Sequence, residues 1–451
     1  MAMQGLLTIS VFLLLVSSCS CSRLQPWTKD YFDALDFRSF GDEEAAGTTD
    51  GLDFGSFGDE EAAGTTLINV MHYGAIGNGQ TDDSQAFINA WRDLCTVDRG
   101  VPALYIPAGK TFLLGQVQFQ GPCKASSVHV KFEGSLTAPL GTGWGGKAGL
   151  DKWIQFEYIS NLIIEGGGKI DGQGSAWWTT CAKGRQYGQG KFQCQRPTAL
   201  HFHSCNGLQL SGLTHLNSAQ NHISLSGSNG VTISNLYIIA PEDSPNTDGI
   251  DISTSTNVNI KNTFIGTGDD CIAINGGSSG INITGVSCGP GHGISIGSLG
   301  QNGAYETVEE VYVENCSFKG TENGARIKTW KGGRGYARKI LFQHINFINV
   351  KNPIIINQFY FDKNSLPQLA DNNYYQEIKV SDVTYSDLHG TSANDIAINL
   401  NCNKDGGGCS NILMDDVRIT PAVPGMKLNV ICNNAYGNVT YAIPNVPCLS
   451  H

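Results

Sequence analysis

Apolar residues recur along this chain at intervals of one short coil, and this repeat constrains the fold more than any other feature of the sequence. One column of apolar residues is Leu208, Val231, Val258, Ile281, Val311 and Ile340, and a second is Ile223, Ile250, Ile272, Ile294 and Ile327. The spacings lie between 22 and 33 residues. Such a period is typical of solenoids, in which each repeat packs only on its neighbours.

The repeats are built from short strands without intervening helices. Runs such as Val231-Thr232-Ile233 and Ile294-Ser295-Ile296 alternate with clusters of Gly, Asn, Ser and Asp. A βαβ sheet is therefore excluded, and a β-propeller is disfavoured because its blades are usually longer and carry WD or kelch signatures. The pattern predicts an all-β parallel β-helix of roughly ten coils over residues 67–451. A short N-terminal capping helix is expected from Asp83 to Leu94, where five apolar residues share one helical face.

The first 66 residues differ from the rest. Residues 1–22 are typical of a secretory signal peptide, with an apolar core from Leu6 to Val16. Within residues 23–66, an acidic unit that begins at Asp36 recurs almost unchanged from Asp53. This part carries eleven acidic and three basic residues, so we expect a disordered, low-complexity segment that acts as a propeptide or as a plain linker.

Charge and hydropathy argue against several kinds of partner. The net charge of −11 does not suggest a nucleic-acid binder, which would usually be basic. The apolar run near the N-terminus is shorter than the roughly 20 residues that span a bilayer, and no later stretch is long enough. We therefore expect a secreted, soluble, monomeric protein that binds neither nucleic acid nor a membrane.

Twelve of the 14 cysteines follow the predicted signal peptide, and an oxidising compartment would join several of them. Proximity favours the pairs Cys402 with Cys409 and Cys432 with Cys448, while Cys95 with Cys123 and Cys181 with Cys194 are further candidate pairs. The absence of a Cys-x-x-Cys pair disfavours a structural zinc site. Asn282, Asn315 and Asn438 begin Asn-x-Ser/Thr sequences and are candidate glycosylation sites.

Charged residues precede the isoleucines of the second column. Asp248, Asp270 and His292 each lie two residues before their isoleucine, and Asp269 is one residue off that position. In the last repeat, Arg326 and Lys328 flank Ile327. Because stacked strands lie about 4.8 Å apart, we expect three carboxylates, an imidazole and two cations to converge on one face of the solenoid.

These residue types are the ones that glycoside hydrolysis requires. One carboxylic acid must protonate the leaving oxygen while a second carboxylate activates water, and crowding helps one of them to keep its proton. The guanidinium of Arg326 could hold the carboxylate of a uronic acid as a bidentate fork. Each of these residues alone is more often a turn or surface residue. Because they occupy the same position in consecutive repeats, a shared functional site is favoured.

Four ordered segments resemble the signature segments of the polygalacturonases, glycoside hydrolase family 28. The segments are Asn246-Thr247-Asp248, Gly268-Asp269-Asp270, Gly291-His292-Gly293 and Arg326-Ile327-Lys328. The stretch from Asn69 to Asp83 is also similar to the start of the plant members, so the resemblance covers essentially all of residues 67–451. It implies a right-handed parallel β-helix that hydrolyses α-1,4 bonds between galacturonic acid residues of pectin (homogalacturonan) in the cell wall, with inversion and without metal or cofactor.

The resemblance also implies catalytic roles. Asp269 would donate the proton, Asp248 and Asp270 would position and activate the water, and His292 would assist the acid. Neighbouring strands, however, would hold these carboxylates closer than the roughly 6.5–9.5 Å usual for inverting enzymes. The separation alone therefore favours retention, whereas the resemblance implies inversion.

For substrate binding, the resemblance implies that Arg326 and Lys328 hold galacturonate, that Asn246 supports the site and that Tyr360 contacts the sugar. It further implies a disulfide between Cys271 and Cys288, which would brace the coil between Asp270 and His292. The chain departs from the family at 357–361: plant members often have Asp followed by Gln-Asn-Tyr-Cys, and this chain has Asn-Gln-Phe-Tyr-Phe. That departure affects the expected substrate preference, not the expected reaction.

Two other functions fit parts of the pattern. A pectate lyase on a similar β-helix would use carboxylate-bound calcium and an arginine base, and the His292 motif and the placement of Asp269 argue against it. A non-catalytic wall-binding relative would lack a catalytic aspartate, and none is missing. The residues do not distinguish endo from exo cleavage, which depends on loops such as 183–195 and 332–336.

Overall fold

The short β-branched runs of the sequence form strands throughout the computed structural model. The structure describes residues 66–141, 144, 151–186, 196–361 and 377–449, which belong to one compact unit of the chain, Glu61–His451. The predicted signal peptide and nearly all of the duplicated acidic segment lie outside the described residues. The first strand begins at Leu67.

The strands are numbered in chain order. The first eleven are β1 (Leu67–Asn69), β2 (Asn78–Asp82), β3 (Ala103–Ile106), β4 (Thr111–Leu113), β5 (Val117–Gln120), β6 (Val128–Phe132), β7 (Ser135–Thr137), β8 (Lys152–Glu157), β9 (Leu162–Glu165), β10 (Lys169–Asp171) and β11 (Thr198–His203). The next eleven are β12 (Gln209–Ser211), β13 (Thr214–Leu216), β14 (Ile223–Ser226), β15 (Asn229–Ser234), β16 (Tyr237–Ile239), β17 (Ile250–Ser253), β18 (Thr256–Lys261), β19 (Phe264–Gly266), β20 (Ile272–Ile274), β21 (Ser278–Thr284) and β22 (Ser287–Cys288). The last eleven are β23 (Ile294–Leu299), β24 (Tyr305–Lys319), β25 (Asn323–Trp330), β26 (Arg334–Val350), β27 (Asn352–Tyr360), β28 (Lys379–Ser392), β29 (Ile396–Asn401), β30 (Cys409–Pro421), β31 (Asn429–Asn433), β32 (Ala435–Val439) and β33 (Ala442–Ile443).

Strands of successive coils pair in parallel and form two large sheets. The eleven-stranded sheet, here called the site sheet, has the order β31-β29-β27-β25-β23-β20-β17-β14-β11-β8-β5. The remaining strands form a 22-stranded sheet, here called the back sheet. In the early coils each turn contributes two short strands to the back sheet. From β24 to β30 each turn contributes one long strand, and β30 then pairs with two short strands, β32 and β33. One strand per coil in the site sheet confirms the predicted right-handed parallel β-helix and its approximate number of coils.

The first predicted column is confirmed by the register. Val231, Val258, Ile281, Val311 and Ile340 stand opposite one another in adjacent strands of the back sheet, and the backbone oxygen of Leu208 accepts a hydrogen bond from Thr232. All six side chains are buried. The interior is therefore a stack of branched apolar side chains, which bury well on a pleated surface.

The second column is confirmed from Ile223 to Ile294, but its last member is wrong. Ala325 stands opposite Ile294, and Ile327 stands opposite Ile296, one interior position further along. The sequence was misleading because both inward positions of these strands carry isoleucine. As a consequence Arg326 lies opposite Ser295, inside a strand, and not in line with the turn residues that precede it.

Two α-helices accompany the strands, α1 (Ser84–Leu94) and α2 (Ser175–Gln186), with short 3-10 helices at Val70–Tyr73, Gln301–Gly303, Lys404–Gly406 and Pro447–Leu449. Helix α1 confirms the predicted cap. Its face of Ala86, Phe87, Ala90, Trp91 and Leu94 is buried, and the Phe87 and Phe112 rings lie 5.2 Å apart. Helix α2 was not expected, because its sequence lacks a continuous apolar face. Within the described ranges, neither helix is long and apolar enough to cross a bilayer.

The predicted disulfides join strands and turns within this frame. The pairs Cys95–Cys123, Cys271–Cys288, Cys402–Cys409 and Cys432–Cys448 are all formed. Cys194 lies outside the described residues, so its pairing with Cys181 stays a prediction. Cys205 and Cys316 are buried free thiols. The predicted glycosylation residues Asn282, Asn315 and Asn438 are exposed on strands of the back sheet, and their modification also stays a prediction.

Candidate active site

The charged residues of the second column meet on the outer face of the site sheet. The turns that enter β17, β20 and β23 stack directly: the Gly249 amide donates to the Asp270 oxygen at 2.9 Å, and the Cys271 amide donates to the Gly293 oxygen at 2.9 Å. Asp248, Asp270 and His292 thus follow one another from coil to coil, as predicted. The disulfide Cys271–Cys288 holds the middle turn to its own coil.

Asp270 lies at the centre of a buried ionic network. Its Oδ2 accepts from Lys328 Nζ at 2.8 Å, and its Oδ1 accepts from Arg326 Nη2 and from Ser295 Oγ. Arg326 Nε also donates to Ser295 Oγ at 2.7 Å. Burial opposes the charge on Asp270, but Arg326 and Lys328 outweigh it and lower the pKa of this carboxyl to about 2. Asp270 is therefore ionised, with all of its charge directed at the two cations.

Asp269 points toward the cleft and is held from three sides. Its Oδ1 accepts from the Asp270 backbone amide at 2.9 Å and lies 2.9 Å from His292 Nδ1. Its Oδ2 accepts from Asn246 Nδ2 at 3.3 Å. Asn246 is in turn fixed by Arg196, whose Nη2 donates to Asn246 Oδ1 at 2.6 Å. The side chain of Asp269 retains 20% exposure, so its carboxylate remains accessible to a ligand.

His292 lies between two carboxylates. Its Nδ1 contacts Asp269, and its Nε2 lies 3.6 Å from Glu322 Oε2. Burial lowers the pKa of His292, but the hydrogen bond that its Nδ1 donates to Asp269 and the charges of Asp269, Asp270 and Glu322 raise it overall. The imidazole is therefore charged over a wider pH range than a free histidine.

Two further carboxylates lie beside this network. Burial, reinforced by the charges of Asp269, Asp251 and Asp270, raises the pKa of Asp248 well above its ordinary value. Burial and Asp270 likewise raise the pKa of Asp251 to about 7, and Asn221 Nδ2 donates to Asp251 Oδ2. Asp248 therefore keeps its proton at a pH where Asp270 has lost its own, which is the asymmetry that acid–base catalysis uses.

The binding residues predicted further along the chain lie in β25 and β27. Lys328 Nζ lies 5.3 Å from the centroid of the Tyr360 ring, and this ring makes an edge contact with Trp330 at 5.3 Å. Tyr360 is therefore brought to the same cleft as the catalytic carboxylates. The neighbouring Phe359 is 43% exposed, so the stretch that departs from the family pattern presents an aromatic ring to solvent.

Four residues of the site were missed in the sequence. Arg196, Ser295 and Glu322 contact predicted residues directly, and the charge of Asp251 acts on Asp248. Ser295 and Asp251 occupy the outward position between two interior isoleucines, so the period-two alternation of a strand could have placed them on this face. Arg196 had no such signal, because it precedes a strand 50 residues before its partner Asn246.

Three side chains of the site, Asp269, Asp270 and His292, are of the types that bind metal ions. One ligand atom each of Asp269, Asp270 and His292 lies within 4.8 Å of the others. Both oxygens of Asp270 are, however, already bound by Arg326, Lys328 and Ser295. Two cations in direct contact with a carboxylate oppose the binding of a third at that carboxylate, so these residues fit an anionic ligand better than calcium.

Comparison with known proteins agrees with this geometry. Residues 95–441 match the model of the glycosyl hydrolases family 28. A protein named probable polygalacturonase from Arabidopsis thaliana is 48% identical over 85% of this chain and 80% of its own length. A polygalacturonase from Persea americana is 41% identical over 82% of this chain and 77% of its own length.

Solved structures show the same fold. An exopolygalacturonase from Thermotoga maritima superposes with a TM-score of 0.68 at 22% identity, covering 83% of this chain and 91% of that one. A polygalacturonase from Erwinia carotovora gives a TM-score of 0.66 at 23% identity, covering 86% of this chain and 100% of that one. At such identities the likeness concerns the β-helix and not the details of the site.

Proposed function

We propose that this chain, which belongs to the glycosyl hydrolases of family 28, hydrolyses the α-1,4 bonds between galacturonic acid residues in pectin. The enzyme is a glycosidase of the polygalacturonase type. This assignment rests on one observation: consecutive coils bring Asp248, Asp269 and Asp270 close together and beside the cations Arg326 and Lys328.

The charge of the network favours an anionic sugar. Asp270 carries one negative charge and is bound by two cations, Arg326 and Lys328, so this buried trio has an excess positive charge. Arg326 uses its Nε and Nη2 for Ser295 and Asp270, and we assign its Nη1 to the carboxylate of a bound galacturonate. Lys328 has three donors and can share its charge between Asp270 and the sugar.

We assign the proton donor to Asp269. It is the carboxylate with a free approach from the cleft, and it is oriented by Asn246 and His292. In the reactive state we assign the proton to Asp269 and leave Asp248 ionised, and Asp269 delivers its proton to the glycosidic oxygen. The leaving sugar then departs with its hydroxyl restored.

The attacking water is assigned to Asp248 and Asp270. As the bond between the anomeric carbon and the leaving oxygen breaks, the water oxygen bonds to that carbon from the opposite face and gives its proton to Asp248, while Asp270 helps to position the water. Asp248 then releases this proton to solvent and Asp269 takes one up, which restores the starting state. His292, whose Nδ1 lies 2.9 Å from Asp269 Oδ1, keeps that carboxyl group in place during the cycle.

We also propose that the protein acts outside the cell. The relatives are plant polygalacturonases, and four disulfides within the β-helix fit an oxidising compartment. We propose that residues 1–22 direct secretion and that residues 23–66 precede the catalytic β-helix. N-terminal sequencing of the protein secreted by a plant cell would locate the mature start and would contradict the proposal if residues 1–22 were retained.

The deciding experiment is product analysis on polygalacturonic acid, with and without a chelator. Saturated galacturonate products that are insensitive to the chelator support hydrolysis. Unsaturated products that disappear with the chelator would identify a lyase, and no products would favour a binding protein. Proton NMR during the first turnovers should show the β-anomer, as inversion requires; an initial α-anomer would establish retention and refute the assigned roles of Asp248 and Asp270.

A further inference from the structure

A second group of metal-ligating side chains lies on the back sheet, away from the strands that carry the catalytic residues. His344 is in β26, Asp387 and His389 are in β28, and Asp416 is in β30. The register places His344, Asp387 and Asp416 opposite one another in three successive coils. Each of the three has a left-handed φ, of 52°, 55° and 53°, so the backbone bends at the same corner and presents the side chains in the same direction.

The two carboxylates converge on one ring nitrogen. His389 Nε2 lies 3.3 Å from Asp387 Oδ1 and 3.6 Å from Asp416 Oδ2. The other oxygen of each carboxylate is held by a basic side chain, Asp387 Oδ2 by His344 Nδ1 at 2.6 Å and Asp416 Oδ1 by Arg418 Nε at 2.5 Å. Each carboxylate is thus anchored through one oxygen and offers the other to the same point.

His389 Nε2 is in ion-pair contact with an oxygen of each carboxylate. Imidazole nitrogen and carboxylate oxygen are both common metal ligands, so the three atoms that face one another here form a donor set that a cation could share. The side chains around it keep 39–44% exposure, which leaves a route from solvent for a small ion.

We propose that Asp387, His389 and Asp416 bind a divalent transition-metal ion of the zinc type, with water as the remaining ligand. Zinc bonds to nitrogen and carboxylate oxygen are about 2.0–2.2 Å long, and a tetrahedron of that size has ligands about 3.3–3.6 Å apart. The spacings of His389 Nε2 to the two oxygens match this edge length. Calcium and magnesium prefer six or more oxygen ligands, so the imidazole selects against them.

The surrounding groups suit this role. His344 and Arg418 orient the two carboxylates, as the outer partners of metal ligands commonly do. The guanidinium of Arg418 also stacks over the Tyr441 ring, with 5.0 Å between Cζ and the ring centroid, and this contact helps to hold the guanidinium in place. The two carboxylates balance the charge of the ion. A bound ion would tie β28 to β30 and stabilise the C-terminal coils, because a ligand that binds only the folded chain adds to its stability.

Zinc titration of the full, untagged, metal-free chain by calorimetry tests the proposal. The wild type should bind one Zn²⁺ that H389Q and D416N lose, and H344Q should bind it about 10- to 100-fold more weakly because Asp387 is no longer held. H129Q is the matched control: His129 Nε2 pairs with a single carboxylate oxygen of Glu165 at 3.1 Å on the same sheet, and its loss should leave zinc affinity unchanged.

Two further readouts separate this site from the catalytic residues. Zinc should raise the melting temperature of the wild type and not that of H389Q, while both hydrolyse polygalacturonic acid at the same rate without the ion. Co²⁺ in place of zinc should give the strong visible absorption of a tetrahedral site. Wild-type zinc affinity in H389Q and D416N, or no zinc binding by the wild type at millimolar concentration, would overturn the proposal.

Discussion

Lys328 Nζ lies 2.8 Å from Asp270 Oδ2, and both side chains are almost completely withdrawn from solvent. Arg326 binds the other oxygen of the same carboxylate. Asp270 therefore has one more cation than it needs for neutrality. A buried pair of charges is costly unless well compensated, and we infer that the additional cation is kept for an anionic ligand.

Replacement of Lys328 by Met should test this inference. Asp270 would still be paired with Arg326, so the fold should persist, while the substrate carboxylate would lose a charge-assisted hydrogen bond. Such a bond contributes about 1.5–3 kcal/mol, so kcat/KM on polygalacturonic acid should fall about 10- to 100-fold. Lys339→Met, which removes a half-exposed lysine paired with Glu310 on the back sheet, is the control. Equal activity of both variants would show that Lys328 serves the fold and not the substrate.

Replacement of Asp269 by Asn should abolish most activity without unfolding the chain. The amide oxygen can still accept from the Asp270 backbone amide, but the side chain can no longer deliver a proton. General acid catalysis typically contributes 10²–10⁴-fold, so kcat should fall by at least about 100-fold. The exposed Asp98→Asn variant should keep its rate. If a folded Asp269→Asn enzyme retained most of its activity, another residue, Asp248 first, would have to be the acid.

Arg196 is a positioning residue in our interpretation, because it donates to Asn246, which in turn donates to the proton donor Asp269. A double-mutant cycle of Arg196→Met and Asn246→Ala should therefore be strongly non-additive: kcat should fall in each single variant and hardly further in the double variant. KM should change less than kcat, since neither residue is assigned to the substrate. A merely structural Arg196 would instead lower the melting temperature, leave kcat of the folded fraction unchanged and combine additively with Asn246→Ala.

The repeat predicted the solenoid because burial has a simple pattern in a β-helix. Branched residues must face the interior of every coil, so Val258 and Ile281 stand one above the other and their spacing reveals the coil length. The same pattern cannot fix register to better than two residues, since Ile294 and Ile296 are both interior. For that reason the register predicted for Ile327 was wrong: it lies opposite Ile296 and not opposite Ile294. Arg326, in the same strand, therefore lies opposite Ser295.

Side-chain networks were less accessible to sequence analysis than the column itself. Asp248, Asp270 and His292 were found because they repeat with the coil. The contact of Arg196 with Asn246 depends on how a connection between coils folds back, and no period encodes that. The cluster of Asp387, His389 and Asp416 was also missed, because its members belong to corner positions on the back sheet that the apolar columns do not mark.

His215, in β13, should make the protein sensitive to acid. Its ring is fully buried, neither ring nitrogen has a hydrogen-bond partner among the described residues, and burial together with the charge of His222 lowers its pKa to about 3. An unfolded histidine has a pKa of about 6.5. Between these values the unfolded chain binds a proton that the folded chain excludes, so the free energy of unfolding should fall as the pH drops from about 6.5 toward 3.

The variant His215→Leu has a similar volume and cannot be protonated, so its melting temperature should fall less than that of the wild type between pH 7 and pH 4. The control is His72→Gln, since His72 is exposed and its loss should leave the acid sensitivity of the wild type unchanged. The melting temperature of His215→Leu relative to that of the wild type should therefore rise as the pH falls. Parallel melting curves over this pH range would mean that acid unfolding is governed by other groups, with the buried His222 the next to test.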